Sequence, residues 1–247
     1  MRKRLQRIIN RSKLFSKGDL VLIYTMGKVG STSIEARLPN GFHTHTLYGF
    51  PPSPHHHMQK FGRLGFAVRR FSVYPIKRAI LRRNKKLRIV TFYRDPQTRN
   101  PSMFMQDLPF WLSRYLVRVQ EANRSEAPDL LMEAYRTEFP HDYPQDWVRK
   151  ELSPFSKIPA EKLMLGQEDY KIVEKGKYSV FVGRMENMDA YTDALFDFLG
   201  LPSGSLEAVN RGDRKWYAPL YSDFRNELKS RSDITYSEEF RKANGYT

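Results

Sequence analysis

Apolar residues along this chain fall in short blocks divided by turn residues, and the blocks alternate between strand-like and helix-like spacing. Leu20 to Tyr24 is an unbroken apolar run, Phe42 to Leu47 follows it, and Leu87 to Tyr93 is apolar and β-branched. Each predicts a strand. Between them, Ser31 to Leu38 predicts a short helix ended by Pro39-Asn40-Gly41, and Tyr74 to Lys86 a second helix with Pro75 near its start. The proline- and glycine-rich stretch Gly49 to His57 reads as a loop.

Downstream, a long helix is expected from about Ser102 to Ala122, followed by helices over Asp129 to Thr137 and Gln145 to Leu152. Tyr170–Val173 and Tyr178–Val182, parted by Glu174-Lys175-Gly176-Lys177, read as a hairpin. Asn187 or Asp189 is the expected cap of a helix carrying Leu195, Phe196, Phe198 and Leu199, with Gly200 at its end. The order β-α-β-α-β-α implies an α/β fold: a P-loop-like parallel sheet flanked by helices, with ligands at the carboxyl ends of the strands. Residues 1–17 form a basic arm ahead of a single domain, 18–247.

Composition narrows the function. The chain has 247 residues, enough to bury a substantial core, and no cysteine, which excludes disulfides, thiolate metal sites and cysteine nucleophiles. No run approaches the ~18 apolar residues of a membrane span, and the N-terminus lacks the apolar core of a signal peptide, so a cytoplasmic chain is expected, or one whose anchor was removed. A net charge of +15 calls for an anionic partner: nucleic acid, lipid, an acidic polymer or a polyanionic nucleotide. Lysine and arginine gather in the arm and between Arg63 and Arg88, where a solvated helix face is an equal reading.

Two motifs carry the chemistry. The first, Gly27-Lys28-Val29-Gly30-Ser31-Thr32-Ser33, lies between the first strand and a helix. Its glycines let backbone approach a ligand, its hydroxyls donate, and the helix start supplies free N–H groups. A nucleotide-hydrolysing P-loop places lysine after the last glycine, whereas Lys28 precedes Gly30. The second, Arg94-Asp95-Pro96-Gln97-Thr98-Arg99-Asn100-Pro101-Ser102, follows the third strand. Asp95 suits a helix N-cap and Pro96 the first helical position, so Arg94, Arg99 and Ser102 can converge on one phosphate. Pro101 should disturb the first turn, with Asn100 capping the helix afresh.

Together these motifs resemble the sulfotransferases that use 3′-phosphoadenosine 5′-phosphosulfate. That family carries P-K-x-G-[ST]-[ST]-x for the 5′-phosphosulfate and R-[DN]-P-x-x-R-x-x-S for the 3′-phosphate. Gly27 stands where the family has proline, and the second motif matches in full. Val180 to Met188 followed by Phe198-Leu199-Gly200-Leu201 is similar to the family's late strand, acidic turn and "FLGL" helix. Lys215-Trp216-Tyr217 is similar to the capsular polysaccharide synthesis proteins named for an Asn-Lys-Trp-Tyr-Ser signature, with Arg214 in place of Asn and Ala218 of Ser. The resemblance implies a sulfotransferase fold and 3′-phosphoadenosine 5′-phosphosulfate as co-substrate, with no metal required.

It also implies roles. Lys28 would stabilise the leaving phosphate, Gly27 to Ser33 would surround the 5′-phosphosulfate, and Arg94, Arg99 and Ser102 would hold the 3′-phosphate. Arg211, Arg214 or Lys215 would add a late basic contact. For the base, His43 and His45 share one face of the second strand, beside the strand carrying Lys28; the competing reading is two histidines satisfied structurally. A similar His-x-His segment occurs in hexuronic acid 2-O-sulfotransferases, and Glu35 is a fallback base.

The expected acceptor is a carbohydrate hydroxyl, anionic in keeping with the basic surface, rather than nucleic acid; a lipid, a small metabolite or a peptide tyrosine are the other ways to present a hydroxyl. The basic arm offers a peripheral membrane contact. A P-loop kinase-like phosphotransferase and a basic binding module remain alternatives. His55-His56-His57 reads as an exposed loop rather than a metal site, and Trp147 and Trp216 as core or interface rather than stacking platforms.

Overall fold

The computed structural model describes residues 20–38, 40–50, 54–82, 86–113, 127–206, 215–231 and 233–246. The basic arm, Arg211 and Arg214 lie outside them. Five strands, β1 (Val21–Tyr24), β2 (Phe42–Thr44), β3 (Leu87–Tyr93), β4 (Tyr170–Lys175) and β5 (Tyr178–Arg184), form one sheet in the order β2-β1-β3-β5-β4. Every pairing is parallel except the β4–β5 hairpin. The fold is therefore α/β, with a mostly parallel sheet flanked by helices.

Burial explains the strands. All of β1, and all of β3 and β5 but one intermediate residue each, are buried, as parallel strands covered on both faces must be. Leu22, Ile23, Ile89, Val90, Val180 and Val182 are fully enclosed, each worth roughly 1.5–3 kcal/mol. β4 instead exposes Tyr170, Ile172, Glu174 and Lys175; charges on such an edge discourage further strand addition.

The helices, numbered here in chain order, are α1 (Ser31–Arg37), α2 (Pro54–Leu81), α3 (Pro96–Gln106), α4 (Ala127–Glu138), α5 (Tyr143–Trp147), α6 (Ser153–Ser156), α7 (Ala160–Leu163), α8 (Thr192–Leu199), α9 (Ala218–Lys229) and α10 (Glu238–Ala243). A π turn, Val148–Leu152, joins α5 to α6, and a 3₁₀ segment, Met185–Tyr191, leads into α8. A second apolar cluster packs α3, α4 and α9 together, with Phe104 stacked on Phe224 (5.4 Å) and on Trp111 (4.9 Å).

Five expectations are corrected. The stretch through His55 to His57 is the start of α2, not a loop, and Pro75 sits inside that helix rather than at its start. α3 runs unbroken through Pro101; Asn100 caps nothing, and its side chain instead donates to the His141 carbonyl (3.1 Å). The helix before Gly200 begins at Thr192, with no side-chain cap from Asn187 or Asp189. The helix expected from Ser102 begins six residues earlier, at Pro96, and ends at Gln106 before a turn; residues 108–113 are helical again. Among the described residues no helix is long and apolar enough to cross a membrane.

Gly183 in β5 lies against Tyr191, whose hydroxyl donates to the Arg184 carbonyl (2.6 Å); a Cβ there would fall 2.5 Å from that hydroxyl. Gly183→Ala should therefore lower unfolding free energy by roughly 1–3 kcal/mol in denaturant titrations. An unchanged midpoint would mean that the Tyr191 ring yields freely.

Candidate active site

β1 pairs with β2 on one side and β3 on the other, so chain direction over the sheet switches at β1. In such sheets a crevice opens beyond the carboxyl ends of the strands at that point. Here the crevice is a cleft of about 380 Å³ lined by the loop after β1, the start of α1, His43 and His45, one face of α3, and the 3₁₀ segment. Gly27, Lys28, Gly30, Ser31, Thr32, Ser33, Arg94 and Ser102 all line it; Val29 is buried beneath, and Arg99 and Lys215 are not among its lining residues.

The loop's shape depends on positive φ angles at Gly27 (84°), Lys28 (62°) and Gly30 (73°). Glycine tolerates that region, and for lysine it costs roughly 1–2 kcal/mol. Proline, locked near −65°, cannot occupy position 27 in this conformation. Two guanidinium groups brace the turn. Arg99, fully buried, donates from Nε to the Gly27 carbonyl (3.2 Å) and from a terminal nitrogen to the Met26 carbonyl (3.2 Å). Its other terminal nitrogen donates to Asn100 Oδ1 (2.8 Å), and its plane lies 4.6 Å from the Tyr143 ring centre. Arg94 donates to the Lys28 carbonyl (3.2 Å) and to Thr98 Oγ1 (3.0 Å). Carbonyl oxygens that would repel an anion are thus held by cations.

Arg99 is consequently corrected from a phosphate ligand to a positioning residue. Burial lowers its pKa to about 10, so it remains a cation at neutral pH and adds positive potential under the loop. Burial first, and then the charges of Lys215, Arg94 and Arg99, bring the Lys28 ammonium down to about 8, against a small opposing effect of Asp107. Lys28 Nζ donates to Gln106 Oε1 (3.0 Å). Gln106 escaped the sequence reading, although it lies one turn beyond Ser102 on the same face of α3.

Both histidines line the cleft with ring centres 4.7 Å apart, although β2 ends at Thr44, short of the expected Leu47, and His45 lies just beyond it. His43 Nδ1 lies 2.8 Å from Glu35 Oε2. The carboxylate must accept, which assigns the Nδ1 proton and leaves Nε2 basic. Glu35, one turn into α1, is thus a partner of His43 rather than a second base. His45 Nδ1 donates to the Thr25 carbonyl (2.8 Å), and burial together with neighbouring His43 lowers its pKa to about 4. His45 is therefore neutral at working pH, with Nδ1 committed to that carbonyl.

The 3₁₀ segment adds Met185, Met188 and the carboxylates Glu186 and Asp189 to the lining, together with Met103 of α3 and Leu206. Glu186 accepts from the Asp95 N–H (2.9 Å), and Asp95 caps α3 as predicted by accepting from the Gln97 N–H (3.0 Å). Arg241 donates to that same Asp95 (3.1 Å). Trp147 is fully buried and donates from Nε1 to the His45 carbonyl (2.8 Å), whereas Trp216 is 70% exposed. The resemblance to an acidic turn after β5 thus marked a cleft wall, but its methionines gave no motif to read.

Glu151, in the π turn, was invisible to sequence reasoning. Its enclosed carboxylate accepts from the N–H groups of Leu47 (2.7 Å), Tyr48 (2.9 Å) and Phe50 (2.6 Å), from Thr46 Oγ1 (2.8 Å) and from the Tyr24 hydroxyl. Burial and the adjoining carboxylate raise the Tyr24 pKa, so the phenol stays a donor. No family model, curated protein or solved structure gives a significant match to the chain.

Glu151→Ala should cost on the order of 3–5 kcal/mol, because several buried donors lose their acceptor together. Glu151→Gln should cost nearly as much, on the order of 2–4 kcal/mol, since an amide NH₂ would face donors. Equilibrium denaturation checks both; a near-neutral Glu151→Gln would show that the charge is dispensable to the loop.

Proposed function

We propose that the chain is a sulfotransferase that moves a sulfuryl group from 3′-phosphoadenosine 5′-phosphosulfate to an acceptor hydroxyl, with a sulfotransferase-type P-loop-like fold. One observation carries this reading: Lys28, on a turn braced by buried Arg99, and Arg94 line the same cleft as a carboxylate-backed histidine. A cation cluster suits a polyanionic donor, and the histidine suits an acceptor that must lose a proton. The two motifs supply the donor's identity by resemblance.

The chemistry divides between the walls. His43 Nε2 takes the acceptor's proton as the acceptor oxygen bonds to sulfur, and Glu35 stabilises the resulting imidazolium. The bond from sulfur to the bridging oxygen breaks, its electron pair stays on the departing phosphate, and Lys28 Nζ meets that charge. The hydroxyls of Ser31, Thr32 and Ser33 steady the non-bridging oxygens, while Arg94 and Ser102 hold the 3′-phosphate. Lys215, close enough to depress the Lys28 pKa, adds to the field that draws the donor in. The products are a sulfate ester, adenosine 3′,5′-bisphosphate and one proton. The acceptor is a carbohydrate, and an anionic one suits the chain's +15 charge.

Adenosine 3′,5′-bisphosphate should raise the melting temperature in the presence of a chelator. Stabilisation by Mg-ATP alone would replace this reading with a phosphotransferase. Lys28→Ala should lower kcat by on the order of 10³-fold, and His43→Ala by on the order of 10²–10⁴-fold, with His45→Ala milder than His43→Ala.

Affinity for the bisphosphate should be flat between about pH 7, above the second ionisation of its phosphates near 6, and pH 8, and fall above that. Lys28 is charged below about 8, an anion raises its pKa in the complex, and above 8 binding must take up a proton. The fall is up to about tenfold per pH unit, and Lys28→Arg should flatten it. A profile unaffected by Lys28→Arg would place the titrating group elsewhere.

A further inference from the structure

A second concavity, of about 680 Å³, lies between α2 and the turn after β2 and is lined by Leu47, Tyr48, Ala67, Arg70, Phe71, Tyr74 and Lys77. Phe71 is 78% exposed, Tyr74 53% and nearby Val68 59%, an unusual display for large apolar side chains on a helix already packed against the protein. α2 sits close against the turn after β2 here: a Cβ at Gly49 would lie 3.2 Å from the Arg70 Cα. Tyr48 is fixed as a platform, its hydroxyl donating to the Pro154 carbonyl (3.1 Å) while Lys77 Nζ stands 3.8 Å over its ring.

Charge identifies the occupant. No aspartate or glutamate occurs between Glu35 and Asp95, and α2 contributes Lys60, Arg63, Arg69, Arg70, Lys77 and Arg78 to that span. The chain's own arm, residues 1–17, is basic too and would be repelled. Aromatic rings alternating with cations match a polymer whose units have C–H faces to stack and carboxylates to pair. A bilayer, by contrast, favours a helix face that protrudes, and here the face is hollow.

Leu47 and Tyr48 lie only two and three residues past His45, at most about 11 Å of extended chain. We infer that this groove binds a uronic-acid-containing oligosaccharide and guides it toward the His43 wall. This rests on the sulfuryl-transfer reading for its purpose, though the binding itself does not.

The test is titration of the full-length protein with a hyaluronan hexasaccharide, a neutral dextran oligosaccharide of equal length, phosphatidylglycerol vesicles and a single-stranded DNA oligonucleotide. The hyaluronan hexasaccharide should bind in preference to dextran. Phe71→Ala with Tyr74→Ala, and separately Arg70→Ala with Lys77→Gln, should each weaken its binding at least tenfold, leaving adenosine 3′,5′-bisphosphate affinity unchanged. Affinity for hyaluronan that survives both double variants, equal affinity for dextran, or tighter groove-dependent binding of vesicles or DNA would overturn the inference. Groove-dependent hyaluronan binding without bisphosphate binding would instead sink the sulfotransferase reading alone.

Discussion

The cleft depends on a carboxylate that never touches it. β2 is only three residues long and sits at the edge of the sheet, so its own hydrogen bonds cannot hold the chain beyond Thr44. Glu151 does that from the π turn, gathering N–H groups of Leu47, Tyr48 and Phe50 on one side chain. Trp147, a turn earlier, donates to the His45 carbonyl. Inserting one residue into a helix re-aims the side chains after it, and here the π turn turns Glu151 toward the loop. The desolvation of a buried carboxylate, several kcal/mol, is offset by donors that would otherwise be buried without partners.

The opposite wall is held by the inverse device. Arg99 is as enclosed as Glu151, but it collects carbonyls where Glu151 collects N–H groups. The signs are not interchangeable. A carboxylate beneath the Lys28 loop would oppose an anion above it, and a guanidinium beneath the loop after β2 would find donors rather than acceptors. Each buried charge therefore fixes backbone and biases its wall: positive under the phosphate loop, negative behind the strand end that carries the histidines.

What could be read along the chain was local. β3, the Asp95 cap and the hairpin depend on neighbours a few residues apart, and all three appear where their spacing places them. The part of α2 before Tyr74 was missed because Gly62, Gly65, Pro75 and the histidine run all argue against a helix locally, whereas Ile80 is fully buried in the sheet's core and Ile76 packs against it. Glu151 and Arg99 were misjudged for the opposite reason. Their partners lie 101 to 127 and 72 to 73 residues away, apart from the neighbouring Asn100 amide on Arg99, so nothing in local spacing distinguishes them from surface charges.

The departure at position 27 is where the resemblance and the geometry pull apart. A proline there would hold φ near −65°, yet the turn needs +84°. Glycine therefore does not substitute for proline in an unchanged loop; it permits a different one, in which Lys28 also takes a left-handed φ. That conformation is unfavourable for lysine and persists because both its ends are held, the carbonyl by Arg94 and the ammonium by Gln106. Arg94 lies just past β3 and Gln106 ends α3, one turn beyond Ser102, so the lysine's aim is held from outside its own loop. The two anion motifs are mechanically one unit, and the out-of-order lysine is the joint between them.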